Sequence, residues 1–219
     1  MPSRLQLARE ALALAARFYR AFGRLGERGP RDGPRLMVLP GFLATDRTTL
    51  GLQRALAAAG FRVTGWGLGF NRGVTPDLLD RIAARVEAFG RGGKVILVGW
   101  SLGGIYAREV AKARPDLVAR VVTLGTPFSG DRRGNNVWRL YEWVAGHPVD
   151  APPIHAVIEE KPPVPTLAIW SHRDGIVAPA CARGAEGERD REVELDCGHM
   201  AFAVSSRAYP RIIDAIRGF

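Results

Sequence analysis

Ten residues, Val95-Ile96-Leu97-Val98-Gly99-Trp100-Ser101-Leu102-Gly103-Gly104, constrain this chain more than any others. The first four are apolar, a run that suits a buried strand. Gly-x-Ser-x-Gly follows at 99–103, and a helical pattern runs over 105–114. A serine between a buried strand and a helix sits on a turn so tight that side chains at positions 99 and 103 would clash. Such a turn pushes the Ser101 hydroxyl above the sheet, beside a helix N-terminus whose free N–H groups favour developing negative charge. The five-residue pattern alone also fits a glycine-rich strand–helix turn with an incidental serine. The strand before it and the helix after it favour a nucleophile.

The remaining chain alternates in the same way. Short apolar runs at 36–39, 61–66, 118–124, 166–170 and 192–195 read as strands. Helical patterns occupy 48–59, a segment opening at Pro76 (with Leu79, Ile82, Val86 and Phe89 on one face) and 209–216. Strands alternating with helices imply parallel units with right-handed crossovers. The expected fold class is α/β, a three-layer α/β/α sandwich around a mostly parallel sheet of about six strands. Residues 128–163 break the rhythm, with Trp138, Tyr141 and Trp143 set among glycines, prolines and charges. They read either as a small cap over a site or as an excursion whose aromatics fill the core.

At 219 residues the chain fits one domain, expected over 30–219, preceded by an extension over 1–29. Within that extension, Leu5, Ala8, Leu12, Ala15, Tyr19 and Phe22 recur at helical spacing over 3–25. The helix either packs on the body or lies, bordered by arginines, on an anionic membrane. The net charge is +9, and eight arginines against three acids fall in residues 1–35. Elsewhere the basic residues are dispersed and carry no recognition motif, so no nucleic-acid partner is expected. No apolar run reaches spanning length, and arginines interrupt any signal-like region, so the expected location is the cytoplasm, with peripheral membrane contact through 3–25 only under the second reading of that helix. Two cysteines, Cys181 and Cys197, lack metal-site spacing. Paired, they would close a 16-residue loop and stabilise the fold by about 3 kcal/mol; in a reducing compartment they stay thiols, and two free thiols are expected.

A serine hydroxyl becomes a useful nucleophile only when a base takes its proton and a third group orients that base. His199, in Asp196-Cys197-Gly198-His199-Met200, lies between the last strand and the last helix. Asp174, in Asp174-Gly175-Ile176-Val177, directly follows the fifth strand. Asp196 is the rival acid, but only three residues from His199 it suits a loop-shaping or solvated role better.

Taken together, the elbow around Ser101, the Asp-x-x-Val at Asp174 and the histidine at 199 resemble the α/β-hydrolase superfamily. They match its order of nucleophile, acid and base over about residues 35–219. Gly125-Thr126-Pro127-Phe128-Ser129-Gly130 resembles the Gly-Thr-Pro-His-x-Gly of its lipase branch, with Phe128 where histidine is common. Pro40-Gly41-Phe42 resembles the His-Gly-Phe of its oxyanion loop, with Pro40 replacing a histidine that often braces that loop. The resemblance implies a reduced lipase- or esterase-like serine hydrolase with Ser101, Asp174 and His199 as catalytic residues. It implies oxyanion donors at the Phe42 and Leu102 N–H groups, and Phe42, Trp100 and Phe128 against the substrate. The expected partner is a small-molecule or lipid ester; no cofactor and no metal is implied. The same machinery serves an acyltransferase, and a silent fold acting as an adaptor is the non-enzymatic alternative. Oligomeric state stays open.

Overall fold

Six strands form one all-parallel sheet in the order β2-β1-β3-β4-β5-β6. They were traced in a computed structural model that describes residues 26–131, 133–154 and 156–219; the helix expected over 3–25 lies outside these. In chain order the elements are β1 (Arg35–Leu39), α1 (Leu50–Ala58), β2 (Arg62–Gly65), α2 (Leu78–Gly90), β3 (Val95–Trp100), α3 (Leu102–Ala113), β4 (Val118–Leu124), α4 (Trp138–Ala145), β5 (Thr166–Trp170), α5 (Pro179–Arg183), β6 (Arg191–Glu194), α6 (His199–Val204) and α7 (Tyr209–Arg217). This is the expected α/β/α sandwich.

The inner strands read as mostly apolar runs because both faces are covered. In β1, Leu36 and Val38 enter one core with Leu52 and Leu56 of α1 and Ile212 and Ile216 of α7. Met37 and Leu39, one residue out of phase, enter the other with Ile82 and Val86 of α2 and Tyr106 and Val110 of α3. Period-two alternation thus feeds two cores from one strand. The edge strand β6 carries Arg191, Glu192 and Glu194, charges that discourage pairing with another chain.

Several element boundaries differ from expectation by a residue or more, and two short helices are additional. Helix α3 begins at Leu102 rather than at 105: Gly103 and Gly104 are poor helix formers, but packing leaves them no alternative. Helix α2 begins at Leu78, because Leu78 N bonds Thr75 O and so folds Pro76 and Asp77 into a preceding turn. The short helices α5 and α6 were not anticipated; at 5 and 6 residues they are too brief for a periodic signal.

The connectivity creates the site. From β1 the chain moves outward to β2, then returns across β1 to β3 and continues the other way. The C-terminal ends of β1 and β3 therefore diverge at a switch point, where open α/β sheets form their crevice. The Pro40–Ala44 loop and Ser101 both lie there.

Candidate active site

Ser101 follows the last residue of β3 and adopts φ 54° and ψ −126°. Left-handed φ is costly for a residue with a Cβ, and persists only where the surroundings enforce it. The surroundings here are backbone. A Cβ at Gly99 would lie 2.3 Å from Gly104 Cα, and one at Gly103 would lie 2.4 Å from Leu39 O. One at Gly104 would lie 1.9 Å from Thr126 Oγ1. Strand, turn and helix are thus in mutual contact, and Ser101 N bonds Leu124 O at 2.9 Å to join the turn to β4.

Two strands further along the sheet, Asp174 and His199 form a buried pair. Asp174 Oδ2 lies 2.7 Å from His199 Nδ1, with the two side chains 1% and 2% exposed. The other carboxylate oxygen accepts the Ile176 and Val177 N–H groups, each at 2.8 Å. This explains the motif physically: the residues after the aspartate curl their amides onto Oδ1 and leave Oδ2 aimed at the imidazole. His199 opens α6, and the Trp100 ring lies 5.6 Å from its ring, while Trp100 Nε1 donates to His199 O at 3.2 Å. The histidine is therefore tied to the strand that carries Ser101. Gly125 closes the arrangement, since a Cβ there would meet Asp174 Oδ2 at 3.0 Å and His199 Nδ1 at 3.1 Å.

A hydroxyl joins the acid-bearing and base-bearing loops. Ser171 Oγ, fully buried, accepts from Arg173 N at 3.0 Å and from Cys197 N at 3.3 Å. Cys181 and Cys197 are not joined in a disulfide. Asp196 is exposed and pairs with Arg173 at 2.7 Å, away from the His199–Asp174 pair.

The loop after β1 supplies the opposite side. Gly41 sits against Ser101 Cβ and the Trp100 ring, each 3.0 Å from a Cβ placed there, and Leu43 takes φ 56°. Among the described residues, neither the Phe42 nor the Leu102 N–H bonds another group of the protein. Leu102 is the first residue of α3, whose initial N–H groups have no intrahelical acceptor.

An apolar cavity of about 100 Å³ begins at Ser101 and Phe42. Leu102, Ile105 and Tyr106 of α3 line one side; Trp138 and Tyr141 of α4, with Ile154 and Ile158 beyond them, form the roof. Phe42 and Tyr141 meet at 5.2 Å between ring centroids. The rest of α4 faces outward: Leu140 is 43% and Trp143 81% exposed. Among the described residues, no three His, Cys, Asp or Glu side chains gather as metal ligands would, and no helix is long and apolar enough to cross a membrane.

No family model matches the chain. Solved structures do. A lipase-esterase related protein from Clostridium acetobutylicum superposes with a TM-score of 0.66 at 15% identity, covering 89% of this chain and 98% of that one. A carboxylesterase from Bacillus subtilis gives 0.59 at 15% identity, covering 98% and 97%. A membrane phospholipase A gives 0.63 at 16% identity, covering 98% and 91%. The chain has the α/β-hydrolase fold.

Within that fold two residues expected against the substrate lie elsewhere. Phe128 is fully buried beneath the Arg108 guanidinium, 4.2 Å from it, and does not line the cavity. The Gly-Thr-Pro turn directs it inward, where it packs as core. Trp100 is 3% exposed and stands behind His199, because alternation along β3 turns it from the cavity side. Phe42 does line the cavity.

Sequence reading passed over Arg108. Its Nε donates to Ile158 O, Nη1 to Glu188 O, and Nη2 to both Glu159 O and Glu160 O, at 3.0–3.3 Å. Burial pulls its pKa down to about 10, which still leaves it charged at neutral pH. Its position on the helix after the serine motif was the available signal, since an arginine on the sheet-facing side of a buried helix needs partners.

Proposed function

We propose that the protein is a serine hydrolase of carboxylic esters, of lipase or esterase type. The observation that carries this reading is the strained Ser101 at a strand–helix turn, with a buried, carboxylate-oriented imidazole tied to Trp100, the residue before it. Ser101 Oγ attacks the ester carbonyl as His199 Nε2 takes its proton, and Asp174 stabilises the imidazolium through Nδ1–H. The Phe42 and Leu102 N–H groups donate to the resulting oxyanion; as unpaired donors fixed in place they need no reorganisation as charge develops. Collapse of the intermediate breaks the ester C–O bond, and His199 returns its proton to the departing alcohol. Water, deprotonated by the same imidazole, then attacks the acyl-enzyme and releases the acid.

The apolar lining of the cavity supports an apolar acyl group as the part of the substrate held there. A roofed, apolar site also suits an alcohol rather than water as acceptor, which would make the protein an acyltransferase. The deciding experiment is hydrolysis of p-nitrophenyl esters from short to long chain, wild type beside Ser101→Ala, with and without added alcohol. Loss of turnover by at least about 10⁴-fold in the variant supports the serine mechanism. Ester formation that outpaces hydrolysis supports transfer. Equal rates in both proteins would overturn the reading.

A further inference from the structure

Pro40 stands where a histidine would brace the oxyanion loop, yet that loop holds a strained conformation. Something else must hold it. The geometry points to Asn71 as the positioning residue that replaces this brace, an inference that rests on the hydrolase reading of the site. Asn71 is 1% exposed and uses both ends of its amide. Its Nδ2 donates to Pro40 O at 2.9 Å, while Oδ1 accepts from Gly73 N and from the Tyr106 hydroxyl, each at 3.2 Å. Its backbone completes the clasp: Leu43 N donates to Asn71 O at 2.8 Å and Asn71 N donates to Ala44 O at 2.9 Å.

Three of these five bonds, to Pro40, Leu43 and Ala44, flank Phe42, and the other two hold the Asn71 amide itself. Its carbonyl-side neighbour Leu43 takes left-handed φ, and Gly41 on its other side presses on Ser101 and Trp100. With Pro40 O, Leu43 N and Ala44 O all fixed to one residue, the Phe42 N–H has little freedom of direction. Tyr106 lies on α3, the helix that starts beside Ser101, so Asn71 also sets the distance between the two oxyanion donors. Asn71 reaches this position because its loop turns back at Gly73, whose φ of 110° suits glycine. A glycine-rich stretch that reads as a plain loop thus delivers one buried amide to the catalytic edge.

A brace of this kind acts on the transition state and leaves ground-state binding alone, because the loop's hydrogen bond strengthens as the oxyanion forms. The test uses the full chain with p-nitrophenyl butyrate and octanoate, comparing wild type with Asn71→Ala, Asn71→Asp and Tyr106→Phe. We expect kcat to fall about 10- to 100-fold in Asn71→Ala with KM within about twofold. The inhibition constant of an alkyl boronic acid, which adds to Ser101 as a tetrahedral anion, should rise in parallel. Asn71→Asp should recover part of its loss at acid pH, where the protonated carboxyl again donates to Pro40 O.

Folded Asn71 variants with wild-type kcat, or with a loss confined to KM, would overturn the inference. If neither variant folds, Tyr106→Phe decides, since it removes only the hydroxyl bond to Oδ1; a several-fold loss in kcat is expected and none would count against the brace. A wild type that cleaves no ester would instead overturn the hydrolase reading. In that case amide exchange at 41–44 tests the brace alone: Asn71→Ala (or Tyr106→Phe, to a smaller degree) should speed it at least about tenfold, and unchanged protection would refute it.

Discussion

The wall of the cavity built on the β3–α3 turn and the roof built from residues 128–163 face the same apolar space but are held by different means. The wall is backbone against backbone, with the Thr126 side chain pressed on Gly104. Gly99, Gly103 and Gly104 let strand, turn and helix touch, and an added methyl at any of them meets an atom within 2.4 Å. The roof has, among its described residues, one two-turn helix and an outward-facing Trp143, and hydrogen bonds attach it: backbone bonds such as Asn136 N to Ile176 O and Ala178 N to Gly134 O at its start, and side-chain bonds besides. Asn136 Nδ2 donates to Gly175 O, Lys112 Nζ to Val157 O, and Arg108 holds three roof carbonyls. Steric necessity fixes the atoms proposed to do chemistry; hydrogen bonds, many of them from replaceable side chains, fix the surface proposed to select the acyl group. The roof is accordingly the part that can change without disturbing the wall.

The largest effect is expected where the wall meets the charge-bearing residues. Asp174→Asn keeps the shape but removes the carboxylate that sets the His199 tautomer, and kcat should fall about 10³- to 10⁴-fold. Asp196→Asn, which alters exposed pairs with Arg173 and His172, should stay within about twofold of wild type in the same ester assay. Comparable losses from both would break the assignment of the acid.

Next comes stability. Gly104→Ala would force a methyl into the Thr126 side chain, 1.9 Å from its oxygen, and should cost on the order of 3 kcal/mol in urea unfolding. Trp143→Ala, on the outer face of α4, should change stability by no more than about 0.5 kcal/mol. The contrast between them measures the difference between wall and roof directly. A Gly104→Ala protein as stable as wild type would show that Thr126 can retreat, and the wall would lose its distinction.

That contrast also governs what could be read in the sequence. The central strands were legible because burial on both faces leaves mostly apolar residues: 118–124 and 166–170 were placed to the residue. The geometry around Ser101 was legible because glycine is the only residue able to occupy positions 99 and 103. The bonds of Asp174 and His199 lie 25 residues apart in sequence, yet short motifs pointed to both. Trp100 and Phe128 were misread because an aromatic beside a functional motif looks the same whether it faces the cavity or the core. Arg108, Ser171 and Asn71 were missed for a related reason. Each is a single polar residue whose role depends on backbone groups tens of positions away, and nothing periodic marks such a contact.

Arg108 offers the finest test, because it grips both ends of the roof. Phe128, where the excursion begins, lies under its guanidinium, and the carbonyls of Ile158, Glu159 and Glu160, near where it ends, accept its hydrogen bonds. Ile158 also lines the cavity, so its carbonyl bond to Arg108 Nε sets how far the side chain intrudes. Arg108→Met retains much of the packing over Phe128 but leaves those carbonyls without a donor, and should destabilise the protein by about 1–3 kcal/mol. Arg108→Lys keeps a positive charge, but a single ammonium cannot span acceptors that a planar fork reaches on two sides, so it should rescue only part of the loss. In both variants the freed Ile158 should broaden chain-length preference in the p-nitrophenyl series by about threefold, with kcat on the best substrate nearly unchanged, since Ser101 and its partners stay locked by backbone. A fall in kcat across all chain lengths would mean that the clasp supports the wall as well, and that the two halves of the cavity are one unit.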